Sequence, residues 1–270
     1  MIDTIRKLVE AYGPSGHEDT IRAIILEEID GLAGEVSVDA MGSIIAWKRS
    51  GQDGAAKVML SAHMDEIGVM VTHVDDQGFL RFTNIGGLAT NTLHGNRVVF
   101  EDGTVGVIGV EAEVGAGDAP KLSQLFIDVA SEANGNEHGV RVGDAAGFLR
   151  PLDVRGSRLV AKSMDNRISC AIQIELMRQI KDSGMLASPE VIALLEQAAE
   201  RAGVPTQREV LERGSTDAAS MQLVRAGVRA GCLSIPCRFI HTTSETVDLN
   251  DVQNAVTLLA ALLREPVQVG

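Results

Sequence analysis

Between about residue 70 and residue 157 the chain shows no helical pattern, although helix-like and strand-like segments alternate on both sides. That interruption limits the choice of fold more than any other feature. The run holds short pieces rich in β-branched residues: Leu80-Arg81-Phe82, Arg97 to Phe100, Val105 to Val110, Phe126 to Val129 and Gly147 to Leu149. Asp102-Gly103 between two of them is a hairpin signal, because an Asp-Gly pair tolerates positive φ. Neither a low-complexity linker nor an internal repeat separates the run from its flanks. The pattern predicts an all-β module at 70–157, inserted into a discontinuous α/β domain made of residues 1–69 and 158–270.

The flanks read as α/β. Ile5, Leu8 and Val9 recur at helical spacing, and Ile21, Ile24, Ile25 and Ile29 form one face of a second helix. Ser15-Gly16-His17-Glu18 ahead of that helix has the form of a capping box. Strands are expected at Val36–Asp39, Ile44–Trp47, Val58–Ser61, Val69–Val74, Leu159–Ala161 and Gly231–Ile235. Later helices are expected from Asp165 to Lys181, from Ser188-Pro189, near Asp217, and through Val252, Val256, Leu259, Leu262 and Leu263. A parallel sheet needs a strand between successive crossover helices. Between Lys181 and Ser188 there is no room for one.

Composition narrows the function. The 270 residues carry 24 basic and 37 acidic side chains, a net charge of −13. Duplex binding rests on Lys and Arg neutralising phosphates, so nucleic acid is not an expected partner. No apolar run is long enough to span a bilayer, and the N-terminus lacks the basic and apolar regions of a signal peptide. The three cysteines, Cys170, Cys232 and Cys237, lack C-x-x-C spacing and suit a reducing cytoplasm. Gly115-Ala116-Gly117 has none of the spacing of a phosphate or dinucleotide fingerprint.

Three predicted strands each lead into a potential metal ligand. Val58–Ala62 leads to His63-Met64-Asp65-Glu66, Leu159–Met164 leads to Asp165-Asn166-Arg167, and Leu233–Ile240 leads to His241. Open α/β sheets bind ligands beyond the carboxyl ends of their strands, so these groups can converge. Each alone has an ordinary explanation: a turn histidine, a helix N-terminal acid, a loop cap. A carboxylate two residues from His63 strengthens the metal reading, since Asp65 can fix the tautomer of a ligating imidazole. Asp217 and Glu245 are candidates for the rim of the same cleft, with helix capping and a solvated loop charge as alternatives.

The ordered motifs Ser61-Ala62-His63-Met64-Asp65-Glu66-Ile67-Gly68, Met164-Asp165-Asn166-Arg167, Gly214-Ser215-Thr216-Asp217-Ala218 and Ile240-His241-Thr242 resemble the dinuclear-metal tetrahedral aminopeptidases. That family includes glutamyl and deblocking aminopeptidases and members labelled endoglucanases. The resemblance runs from Gly13-Pro14-Ser15-Gly16 to the last helix. It implies a three-layer α/β/α peptidase domain with an inserted small β-barrel-like domain that helps build dimers and a dodecamer. It also implies two divalent ions, zinc or cobalt, bridged by Asp165, with His63 on one, His241 on the other and Asp65 orienting His63. Short peptides would be the substrate.

One departure matters. Family members place an adjacent Glu-Glu pair, general base and metal ligand, on a strand after the helix that follows the bridging aspartate; a later strand presents an aspartate ligand. Here the only Glu-Glu pair is Glu27-Glu28, in the N-terminal helix. The loss falls where the strand was already lacking. The expectation is a metallo-aminopeptidase-type chain with little or no turnover, holding two ions, one or none; the alternative is a non-catalytic paralogue serving as an oligomeric scaffold. Glu66 and Glu245 are the carboxylates that could stand in as base. A glycoside hydrolase would need two carboxyl groups flanking a sugar bond, and no pair here suggests one.

Overall fold

The computed structural model describes residues 1–49, 57–111, 119–130, 139–180, 189–209, 216–221, 223 and 230–264. Its fold is α/β, with two hydrophobic cores.

The first core fills a closed barrel of six strands: β3 (Gly68–Val74), β4 (Leu80–Ile85), β5 (Arg97–Phe100), β6 (Val105–Val110), β7 (Leu125–Asp128) and β8 (Ala145–Phe148). Their order is β3-β4-β7-β6-β5-β8, antiparallel throughout. Alternate residues turn inward, as a period of two requires. Val69, Leu80, Val98, Ile108 and Ile127 are completely buried, and each stabilises the barrel by about 1.5–3 kcal/mol. Asp102-Gly103 closes the β5–β6 hairpin as expected, with Gly103 at φ +89°. At Gly106 a β-carbon would stand 2.3 Å from Ile127 Cγ2, so a side chain there cannot fit.

The second core joins helices to a small sheet. The helices are α1 (Ile2–Glu10), α2 (Asp19–Glu28), α3 (Met164–Gln179), α4 (Pro189–Ala202), α5 (Asp217–Met221) and α6 (Leu249–Leu263). Their predicted apolar stripes face inward: Ile5, Leu8, Val9, Ile21, Val252, Val256 and Leu262 are all buried in one cluster. The sheet has the order β11 (Cys237–Arg238), β12 (Glu245–Asp248), β10 (Arg158–Ala161), β9 (Asp153–Arg155), again antiparallel. β9 pairs with β10 rather than with the barrel, so the barrel strands end at Phe148, ahead of residue 157. A separate hairpin pairs β1 (Glu35–Val38) with β2 (Ile44–Trp47).

Three expectations need correcting. Val58–Ser61 and Leu233–Ile235 are not in strands, although Val58, Leu233 and Ile235 pack on the second core. A strand exists only where a neighbour takes its N–H and C=O groups, and among the described residues neither run has one. The capping box does not form either. α2 starts at Asp19 without a side-chain cap, because the Ser15 hydroxyl donates to Asp65 instead. Lys181 and Ser188, which bound the junction lacking a strand, lie outside the described residues.

Candidate metal centre

Four segments meet at one place. His63 follows the unpaired run at 57–62, and Asp165 stands at the start of α3 beyond β10. His241 follows β11, with φ +61°, in the left-handed region that non-glycine residues rarely enter. Glu245 opens β12.

The contacts centre on Asp165. Its Oδ1 lies 3.3 Å from His63 Nε2 and its Oδ2 lies 3.2 Å from His241 Nε2, so one carboxylate faces an imidazole with each oxygen. His63 Nδ1 is 2.9 Å from Asp65 Oδ1, and Asp65 also accepts from Ser15 Oγ. These contacts push the His63 imidazole up to about 10, through Asp165 first and Asp65 second, against burial. The same hydrogen bonds to His63 hold the Asp165 and Asp65 carboxyls below their ordinary values.

The donor set suits zinc-like ions, which take imidazole nitrogen and carboxylate oxygen at about 2.0–2.2 Å. Two donors of a tetrahedral ion at about 2.0–2.1 Å stand about 3.3 Å apart. Both nitrogen–oxygen separations at Asp165 match that edge. What the pairs lack is number. Among the described residues no group of three His, Cys, Asp or Glu side chains closes around one ion position, whereas catalytic zinc usually has three protein ligands.

The other two candidates, Asp217 and Glu245, contact the segments that carry the ligands. Asp217, in the first turn of α5, accepts from Ser61 Oγ at 3.1 Å and holds the segment ahead of His63. Glu245 is not at a rim: it is 2% exposed, its Oε2 accepting from the Asp165 N–H at 2.9 Å and its Oε1 from the His241 N–H at 2.7 Å. Burial pushes its carboxyl up to about 7. Glu66 is engaged as well. Its Oε2 accepts from Lys162 Nζ at 2.6 Å and Ser163 Oγ at 2.7 Å, and its Oε1 accepts from the Gly13 N–H at 3.1 Å and lies 3.5 Å from Arg167 Nη2. Both glutamates are buried, with each carboxylate oxygen already accepting a hydrogen bond from the protein.

Sequence reasoning missed the support beneath the site. Arg167, with no exposed surface, donates through Nε to the Met64 carbonyl at 2.8 Å and through Nη1 to the Leu8 and Ala11 carbonyls at 2.9 and 2.7 Å. It thereby ties the His63 loop to α1. The barrel touches the same network, since a β-carbon on Gly147 would stand 2.8 Å from Glu66 Oε1. Cys170 Sγ lies 3.5 Å from the His63 carbonyl, and burial pushes its thiol up to about 12.

Comparison with known proteins identifies the family. The sequence model of the M42 glutamyl aminopeptidase family matches residues 42–185 and 179–258. A relative in Acetivibrio thermocellus is 31% identical over 323 aligned positions, covering 96% of this chain and 97% of its own. The structure of an aminopeptidase from the archaeon Desulfurococcus kamchatkensis superposes with a TM-score of 0.90 at 29% identity, covering 96% of this chain and 93% of that one. The Pyrococcus horikoshii TET1 peptidase, described as assembling into a tetrahedron or a large octahedral shell, superposes with a TM-score of 0.83 at 25% identity, over 97% and 98% of the two chains. The 323 aligned positions exceed the 270 residues of this chain, so the Acetivibrio relative has residues without a counterpart here. The family match itself breaks into two pieces at residues 179–185, beside the junction where a strand was wanting. This chain belongs to the M42 glutamyl aminopeptidase family.

Proposed function

We propose that this chain is a metal-dependent hydrolase that removes N-terminal residues from short peptides, with His63, Asp165 and His241 as ligands to two ions, zinc or cobalt. The observation that carries the reading is the single Asp165 carboxylate facing one imidazole with each oxygen, at 3.3 and 3.2 Å. Bound there, two ions supply a polarised carbonyl and a water of lowered pKa. Asp65 accepts from His63 Nδ1, which leaves Nε2 to face Asp165, and Ser15 holds Asp65 in turn. With two donors apiece, the ions would bind less tightly than zinc with three protein ligands.

The proton step is the weak point of this chain. Glu66 and Glu245 are both occupied by hydrogen bonds, and a general base contributes about 10²–10⁴ in rate. The family match and the contacts among His63, Asp165 and His241 weigh against a purely scaffolding role. Self-association, to a dimer and to a dodecamer, belongs to the same reading; the assembly of the TET1 peptidase into a tetrahedron or a large octahedral shell supports a large oligomer. A cytoplasmic location is supported by three unpaired thiols, and no described helix is long and apolar enough to cross a membrane.

The test is hydrolysis of leucine and glutamate anilides by mass-verified protein supplied with cobalt or zinc. Metal-dependent turnover well below the ordinary range of about 1–10³ per second, abolished by Asp165→Ala, is expected. Turnover inside that range would show that another group serves as base. Slow turnover indifferent to metal and to Asp165→Ala would overturn the metal reading.

A further inference from the structure

The two imidazoles of the site are held differently. The His63 ring is oriented by a carboxylate, Asp65, at 2.9 Å from Nδ1. The His241 ring has no such partner among the described residues: its Nδ1 takes no hydrogen bond, and a β-carbon on Gly87 would stand 3.4 Å from it. Apart from the Asp165 contact at Nε2, the placement of His241 therefore rests on its backbone, which sits in the left-handed region at φ +61°.

Glu245 holds that backbone. One of its oxygens accepts the His241 N–H at 2.7 Å and the other accepts the Asp165 N–H at 2.9 Å. A carboxylate is rigid, so the two amides cannot separate without breaking one of these bonds. A buried carboxylate is costly unless hydrogen-bonded, and Glu245, at 2% exposure, places both oxygens on these amides. The side chain is itself anchored, because Glu245 pairs with Ala161 in the β12–β10 ladder and β10 leads directly to Asp165.

We propose that Glu245 is a positioning residue that sets the spacing between Asp165 and His241, and so the affinity of the ion held on the His241 side. This rests on the metal reading above. It assigns the second ion to one buried carboxylate that touches no ion itself.

The experiment is titration of the full chain with Co2+, followed by its visible absorption, for the wild type, Glu245→Gln and Glu245→Asp. The glutamine has one carbonyl and can accept from one of the two amides; the aspartate is a methylene shorter and withdraws both acceptors. In each variant the weaker Co2+ site is expected to lose about 10–100-fold in affinity, as groups that orient ligands do, with an altered band, while the His63-side ion stays. A role in folding alone would lower the melting temperature and leave the folded protein's Co2+ spectrum as in the wild type, which would overturn the proposal. Should neither variant fold, the wild type still decides. The Asp165 and His241 amide protons, followed by nuclear magnetic resonance, are expected to shift together as Zn2+ is added; two unmoved amides would overturn the proposal. Wild type that takes up no Co2+ would remove the metal reading and this proposal together. Co2+ uptake identical in all three proteins would remove the proposal alone.

Discussion

The barrel and the helix-flanked sheet answer the same problem differently. In the barrel every strand has two neighbours, and closure leaves no edge to protect. The β11-β12-β10-β9 sheet is open, and two runs beside it, 58–61 and 233–235, keep one side on the core and pair with nothing described. Met59, inside the first run, is 69% exposed. An open sheet that loses a strand loses the groups carried at its end, here the expected base and further ligands.

The largest effects should come from breaking the network that joins the two regions. Glu66→Ala leaves Lys162 and Arg167 buried without their carboxylate, and removing one partner of a buried ion pair costs about 3–5 kcal/mol. Urea unfolding measures the loss, and hydrogen exchange should place it in α1 and α3 while β5 and β6 stay protected. Equal loss of protection in the barrel would erase the contrast between the regions. Ile127→Ala tests the other side. Truncating this fully buried residue should cost about 2–5 kcal/mol, confined to the barrel, with Co2+ affinity unchanged. A fall in Co2+ affinity would mean that the barrel core sets the site.

Smaller effects sharpen the account of the site. Asp65→Asn removes the acceptor that orients His63, and should weaken Zn2+ or Co2+ binding about 10–100-fold with the fold intact by circular dichroism. The smallest concerns pH. The metal-free His63 imidazole is raised from 6.5 to about 10, so its contribution to stability is complete below about 6.5 and is lost as pH rises through 10. Melting temperatures of metal-free protein should fall across that window, and less steeply in His63→Gln. Parallel profiles for the two proteins would show that His63 is not the group responsible.

How much of this was legible follows from distance along the chain. The barrel strands and the helix faces are local patterns, so the β-branched runs, Asp102-Gly103 and the Val252–Leu263 stripe showed them directly. The proximity of His63, Asp165 and His241 followed from the resemblance; of the strands expected before them, Leu159–Ala161 forms, while Val58–Ser61 and Leu233–Ile235 do not. The network of Glu66, Lys162 and Arg167 was not legible, because nothing in the spacing of Glu66 and Lys162 marks them as partners 96 residues apart. Ser15 reads as a helix cap until Asp65, 50 residues on, takes its hydroxyl. Glu245 reads as a loop acid, since only the pairing of β12 with β10 buries it. Val58–Ser61 and Leu233–Ile235 have strand-like sequences, but a sequence does not show whether a partner is present.

The most direct test of the metal centre is anomalous diffraction at the zinc edge from crystals soaked in Zn2+. Zinc is expected between Asp165 and His63, between Asp165 and His241, or at both. Zinc bound elsewhere, with both imidazoles still against Asp165 at 3.2–3.3 Å, would contradict the assignment.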